Sequence, residues 1–241
     1  MPARKRADRP HRPRAGARRA ARLAGALALP VLLLAVSGTA RADAAESFES
    51  RCAALPTTRF DIVQVPVTYT DDRSQSIKEL TFLGGNTPAT HATFGLTSAR
   101  FGHQTETELR IVEDAAGRRT CGTASVRVEL SMQPMTVFVA REIDRTPCPR
   151  DATYAHELKH VAVFREVLSD AARDLTADLA AGMGTSLRRA ANRQELERAF
   201  NAQLQAYLSV FMSQWQREMS ARQAAVDSPE EHERTALACV Q

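Results

Sequence analysis

His156, Glu157 and His160 are the residues of this chain whose types and spacing could do chemistry, in the run His156-Glu157-Leu158-Lys159-His160. Two histidines four positions apart on an α-helix lie only about 40° apart around its axis, so both imidazoles can grip one ion. Glu157 stands beside that ion, where it can take a proton from a water polarised by it. This is the HExxH pattern of hydrolytic zinc sites, with neutral imidazoles as ligands and the glutamate as general base. The competing reading is a solvated His/Glu/Lys face that packs through Leu158.

The motif needs a helix. No Pro or Gly interrupts the apolar positions Leu158, Val161, Phe164, Leu168, Ala172, Leu175 and Leu179, and Asp151 or Thr153 offers an N-cap. A helix is therefore expected over about 152–181, stopped at Gly182-Met183-Gly184. Thr185 or Ser186 would cap a second helix running to about Val226, with a core stripe of Leu196, Phe200, Leu204, Tyr207, Phe211, Trp215 and Met219. Ser228-Pro229-Glu230-Glu231 reads as a capped start for a short terminal helix ending at Cys239.

Upstream, Phe60–Thr70 and Ile77–Leu83 read as strands, separated by a turn at Asp71–Ser74. His91 and His103 fall in a weakly patterned Thr-rich stretch, where a lone histidine is ordinarily a solvated polar group. Glu106–Val112 and Ser125–Leu130 alternate apolar and polar residues around a turn at Asp114–Gly117. Gln133-Pro134 is expected to turn the chain into Thr136–Ala140. The fold class expected is α+β. An N-terminal antiparallel β-sheet (59–145) precedes a long antiparallel helical pair carrying the motif and a short C-terminal helix (152–239).

The chain has 241 residues and a formal charge of +4. Much of that charge is local. Residues 1–42 combine an Arg-rich start, the apolar run Leu23–Val36 and Ala40-Arg41-Ala42, the pattern of a cleaved signal peptide. The apolar run is too short to span a bilayer comfortably. Arg18-Arg19 leaves Sec and twin-arginine export both open. Ten of the 32 basic and one of the 28 acidic residues lie in this segment, leaving 22 against 27, a net −5 for a single domain over 43–241. That charge disfavours nucleic acid and anionic membrane surfaces as partners. A periplasmic or secreted location is expected, with a peptide or protein of the cell envelope as substrate and no membrane span after cleavage.

All four cysteines, Cys52, Cys121, Cys148 and Cys239, fall after the signal segment, and an even count in an exported chain points to disulfides. Cys121 with Cys148 is the favoured pair because the two flank an apparent β-hairpin, which leaves Cys52 with Cys239. The absence of any C-x-x-C pair argues against cysteine as a zinc ligand.

A catalytic zinc takes three protein ligands and one open position. Glu166 stands where the extended HExxHxxGxxH pattern has its last histidine, but Val163 replaces the turn-making glycine. On a continuous helix Glu166 points well away from His160. Pairing the two helices about a turn near residue 184 sets Leu158 opposite roughly residue 210, with Glu218 the nearest carboxylate. Past Asp227 the chain can fold back, so Glu231 or His232 is the expected third ligand. Tyr154 and His232 are candidates to steady a developing oxyanion.

The segments CGTASVRVEL from Cys121, TVFVAREI, and CPRDATYAHELKHV, over roughly residues 118–170, resemble a bacterial group described as secreted zinc-dependent proteases, with a weaker echo in VDSPEEHERTALAC. The resemblance implies Zn2+ on His156 and His160, peptidase activity and Glu157 as base. The alternatives are a non-catalytic envelope protein with a structural metal site, closed by four ligands, and a helical interaction module.

Overall fold

The computed structural model describes residues 46–87 and 92–240. The proposed signal segment and His91 lie outside them. In chain order the elements are α1 (Phe48–Ala53), β1 (Arg59–Gln64), β2 (Thr70–Asp72), α2 (Ile77–Leu83), β3 (Gly95–Glu113), β4 (Thr120–Val139), α3 (Pro147–Met183), β5 (Arg188–Ala190), α4 (Arg193–Val226) and α5 (Pro229–Leu237).

Strand β4 is the spine. One edge pairs antiparallel with β3 from Glu113↔Thr120 to Gly95↔Val139, across a turn in which Gly117 takes φ +63°, a conformation glycine tolerates at no steric cost. The other edge is shared in succession by β5, antiparallel at Thr120↔Ala190, by β1, parallel at Arg59↔Ser125, and by β2, parallel at Thr70↔Thr136. The inward face of β4 passes from Val126, Val128, Leu130 and Met132 to Met135, Val137 and Val139, all buried. That step of three rather than two marks an extra residue. The register opposite it moves only from Phe101↔Met132 to Ala99↔Met135. Gln133-Pro134 is thus a bulge that keeps the apolar side facing in. It falls where β1 has ended and β2 has not begun, so the missing proline N–H costs no ladder bond there.

The α+β character holds, but the expected arrangement is overturned twice. The sheet is not antiparallel, since β1 and β2 both run parallel to β4. The helices do not stand as an antiparallel pair joined by a short turn. Residues 184–192 return to the sheet, where β5 pairs with β4, and α3 and α4 both pack against that sheet. A single core joins Val126, Val128, Leu130 and Val137 to Phe164, Leu168, Leu175 and Leu179 of α3 and to Phe200, Leu204 and Leu208 of α4. The helices bury their apolar stripes on the sheet as well as on each other, and that demand decides the layering.

Local chemistry explains the remaining differences. Ile77–Leu83 is a helix because Ser76 and Glu79 form a reciprocal capping box. Helix α3 starts early, with Pro147 at its first position, so Asp151 and Thr153 lie inside it. It also runs through Gly182, where a Cβ would fall 1.8 Å from the Tyr207 hydroxyl. That glycine admits the tyrosine of α4 and does not end the helix. Helix α4 begins at Arg193, capped by Asn192, whose side chain accepts from the Glu195 N–H.

The disulfides are Cys52–Cys121 and Cys148–Cys239, not the favoured Cys121–Cys148. The segment between Cys121 and Cys148 is no hairpin but one strand, β4. At about 3.3 Å per residue, its run from Cys121 to Val139 separates the ends by about 60 Å, against the roughly 4–7 Å between Cα atoms that a disulfide allows. Cys52–Cys121 instead ties α1 to the sheet over a small cluster with Phe48. Two disulfides fit a chain that matures in an oxidising compartment. Among the described residues no helix is long and apolar enough to cross a membrane.

Leu175 is fully buried between helix and sheet. Leu175→Ala is expected to lower the unfolding free energy by about 2–5 kcal/mol, read from the midpoint of urea unfolding at unchanged slope.

Candidate metal centre

Helix α3 turns His156, Glu157 and His160 inward, at 8%, 4% and 8% exposure. The two imidazole centroids lie 5.0 Å apart. The pentapeptide is therefore no solvated face. Its buried polar atoms need partners, and three other elements supply them.

The first is β3. The Thr97 hydroxyl lies 2.8 Å from Glu157 Oε2 and 3.1 Å from the Glu157 carbonyl oxygen, both of which it can serve only as donor. Two residues earlier the strand passes so close that a Cβ on Gly95 would sit 2.5 Å from Glu157 Oε1 and 2.6 Å from Thr153 Cγ2. Gly95 thus leaves the space that the carboxylate fills.

The second is the end of α4. Gln223 Nε2 donates to the His160 carbonyl at 3.2 Å. That contact orients the amide, because a carbonyl can only accept. Gln223 Oε1 consequently faces His160 Nδ1, at 2.5 Å, so Nδ1 carries the hydrogen. In the neutral ring Nε2 is then a bare lone pair, and it points at Asp227 Oδ1, 3.1 Å away. His156 Nε2 reaches the same oxygen, also at 3.1 Å. Two acceptors do not face each other at that distance without a proton or a cation between them.

The third is α5, capped by Ser228, whose side chain accepts from the Glu231 N–H. It brings His232 Nε2 to 3.7 Å from Asp227 Oδ1, and Glu231 onto Lys159 and Arg234. Cys148–Cys239 ties the end of α5 to the first turn of α3.

Electrostatics follow from this crowding. Burial raises the Glu157 pKa, against the opposing pull of His160 and the Thr97 hydrogen bond. Burial disfavours the charged form of His160, but its hydrogen bonds to Asp227 and Gln223 and the nearby Glu157 carboxylate raise its pKa on balance. Burial likewise disfavours the Asp227 carboxylate, yet the two imidazoles hold it well below the usual range. His156 Nδ1 is buried with no hydrogen-bond partner among the described residues. Its neighbour is Glu231 Oε1 at 3.9 Å.

The donors fit a metal ion. Those of His156, Glu157 and His160 lie within 4.8 Å of one another, as do those of His156, Asp227 and His232. Asp227 Oδ1 lies 3.1 Å from Nε2 of each imidazole of the motif, but neither close donor set joins it to His160.

Of the two expected third ligands, Glu231 is held by Lys159 and Arg234, while His232 is within reach. Glu166 is exposed, and Glu218 pairs with Arg222 at 2.8 Å. The Tyr154 hydroxyl contacts Asp71 at 3.2 Å and Tyr69 at 3.4 Å. Asp227, Gln223, Thr97 and Gly95 were not foreseen. Asp227 carries one sequence signal, an acid at a helix C-terminus, where the helix dipole disfavours negative charge. The register estimate missed it because residues 184–192 lengthen the connection and bring Gln223, not residue 210, to the motif. Comparison with family models, curated proteins and solved structures finds no match to this chain.

Gly95→Ala is expected to cost about 1–3 kcal/mol by overpacking Glu157. Gly102→Ala, whose Cβ would meet nothing closer than 3.7 Å, should change stability by no more than about 0.5 kcal/mol. Urea unfolding of the two variants side by side checks the contrast.

Proposed function

We propose that this chain is an exported zinc-dependent hydrolase acting on peptide bonds. The observation that carries the reading is the convergence of His156 Nε2 and His160 Nε2 on Asp227 Oδ1, with the His160 tautomer set by Gln223. Two imidazoles and a carboxylate are a donor set that suits zinc, and the cysteines are consumed in disulfides. His156 and His160 would hold the ion, with Asp227 the carboxylate that faces both imidazoles. Bound there, zinc would supply Lewis acidity towards a carbonyl oxygen and make a nearby water more acidic.

Glu157 has the role of proton acceptor. Burial raises its affinity for a proton, which suits a base that must take one and pass it on. Thr97 holds one carboxylate oxygen by a hydrogen bond, and the other faces the space that Gly95 leaves open. Gln223 keeps the His160 ring turned with Nε2 inward. The peptide bond as target rests on the HExxH pattern of hydrolytic zinc sites. The two disulfides support an extracytoplasmic site of action, periplasmic or secreted.

Burial of the motif favours one rival, a closed metal site with a structural role only. Zinc content and hydrolysis of a generic peptide substrate by the exported form separate the two. Glu157→Gln is expected to keep one zinc per chain while hydrolysis falls by about 10²–10⁴-fold. Undiminished hydrolysis overturns the assignment of the base, and zinc without turnover in the parent protein favours the structural role.

A further inference from the structure

We infer that Glu231 is a positioning residue for His156, accepting a hydrogen from its Nδ1 and so keeping Nε2 free for the ion. The inference rests on the metal site proposed above. His156 is the side chain common to the two close donor sets, one with Glu157 and His160 and the other with Asp227 and His232, so the direction of its ring bears on both. Its two nitrogens face different carboxylates. Nε2 lies 3.1 Å from Asp227 Oδ1. Nδ1, buried and without a hydrogen-bond partner among the described residues, lies 3.9 Å from Glu231 Oε1. A neutral imidazole that gives one nitrogen to a metal carries its single hydrogen on the other. With Nε2 on the ion that hydrogen sits on Nδ1, where burial demands an acceptor. Glu231 is the carboxylate on that side of the ring. The 3.9 Å separation is about 1 Å longer than a hydrogen bond, a gap that a small turn of the two side chains closes.

The surroundings of Glu231 suit it to orient a ligand and not to be one. It belongs to neither close donor set, and it is itself buried. Its backbone N–H donates to the Ser228 hydroxyl, and its carbonyl accepts from the Thr235 hydroxyl. Its carboxylate takes Lys159 of the motif on one oxygen and Arg234 of its own helix on the other, and Cys148–Cys239 ties the end of that helix to α3. An ionised carboxylate can only accept, and each of its oxygens has two lone pairs, so Oε1 can serve both Lys159 and His156 Nδ1. Lys159 lies three residues after His156 on α3, which puts both on the helical face that α5 meets. The other imidazole of the motif is held in the same way, with Gln223 Oε1 accepting from His160 Nδ1. The end of α4 orients one ring and α5 the other, and partners of this kind typically alter metal affinity by about 10–100-fold.

Two measurements on the exported, disulfide-bonded form test this: zinc affinity, and the long-range proton–nitrogen NMR pattern of the His156 ring, which reports the nitrogen that bears the hydrogen. The zinc-loaded parent protein is expected to carry it on Nδ1. Glu231→Ala should bind zinc at least about 10-fold more weakly. Glu231→Gln, whose amide oxygen still accepts, should bind more tightly than Glu231→Ala. Lys159→Met removes the ion pair and leaves the carboxylate, and it should keep both the parent affinity and the parent ring pattern. Far-UV circular dichroism on each variant confirms that the chain is folded. Equal zinc affinity in the parent and Glu231→Ala overturns the inference and leaves the metal site in place. So does a hydrogen on Nε2 of His156 in the zinc-loaded parent, or a Glu231→Gln variant as weak as Glu231→Ala. Equal losses in Glu231→Ala and Lys159→Met also overturn it, since the ion pair and not the acceptor then matters. Failure of the parent protein itself to bind zinc overturns both this inference and the metal site beneath it.

Discussion

The Asp227 carboxylate, held between the imidazoles of His156 and His160, is the contact on which the site's arrangement depends. It joins residues about seventy positions apart, and it is demanding because polar groups buried without partners cost roughly 1–3 kcal/mol each. The Gln223 amide settles which nitrogen of His160 bears the hydrogen, through a carbonyl that can only accept. The facing lone pair and carboxylate then call for a proton or a cation. One side-chain orientation on α4 thereby sets the chemistry available on α3.

That contact is possible only because the sheet holds α3 rigidly. Strand β4 runs unbroken past the helix, keeping its apolar side inward through a bulge at Gln133-Pro134. Strand β3 brings Gly95 and Thr97 against Glu157. A carboxylate stripped of most of its water is a stronger base than a solvated one, here against the opposing pull of the Thr97 hydrogen bond. The same burial costs stability, an exchange typical of functional sites.

A donor set that could hold a metal ion lies beside a short helix, α5. Helix α5 contributes little to the core, yet it brings Glu231 and His232 to the motif and is secured by a disulfide.

The amino-acid sequence determined what depends on neighbours along the chain. That includes the HExxH pair on one helical face, the core stripe of α4 from Leu196 to Met219, the Ser228-Pro229 start of α5 and the β3–β4 hairpin about Gly117. These rest on helical and strand periodicity and on capping, which act over a few residues. Only the tertiary structure decided which way the strands pair, which cysteines meet and which acid faces the imidazoles. Whether β1 runs with or against β4 turns on a crossover of some sixty residues. Cys121 and Cys148 are parted by a strand that reads locally like a hairpin. Asp227 reaches His156 only because residues 184–192 return to the sheet as β5 and shift the packing of α4 along α3. Each is a long-range contact selected by burial of the whole apolar surface, and no local pattern encodes it.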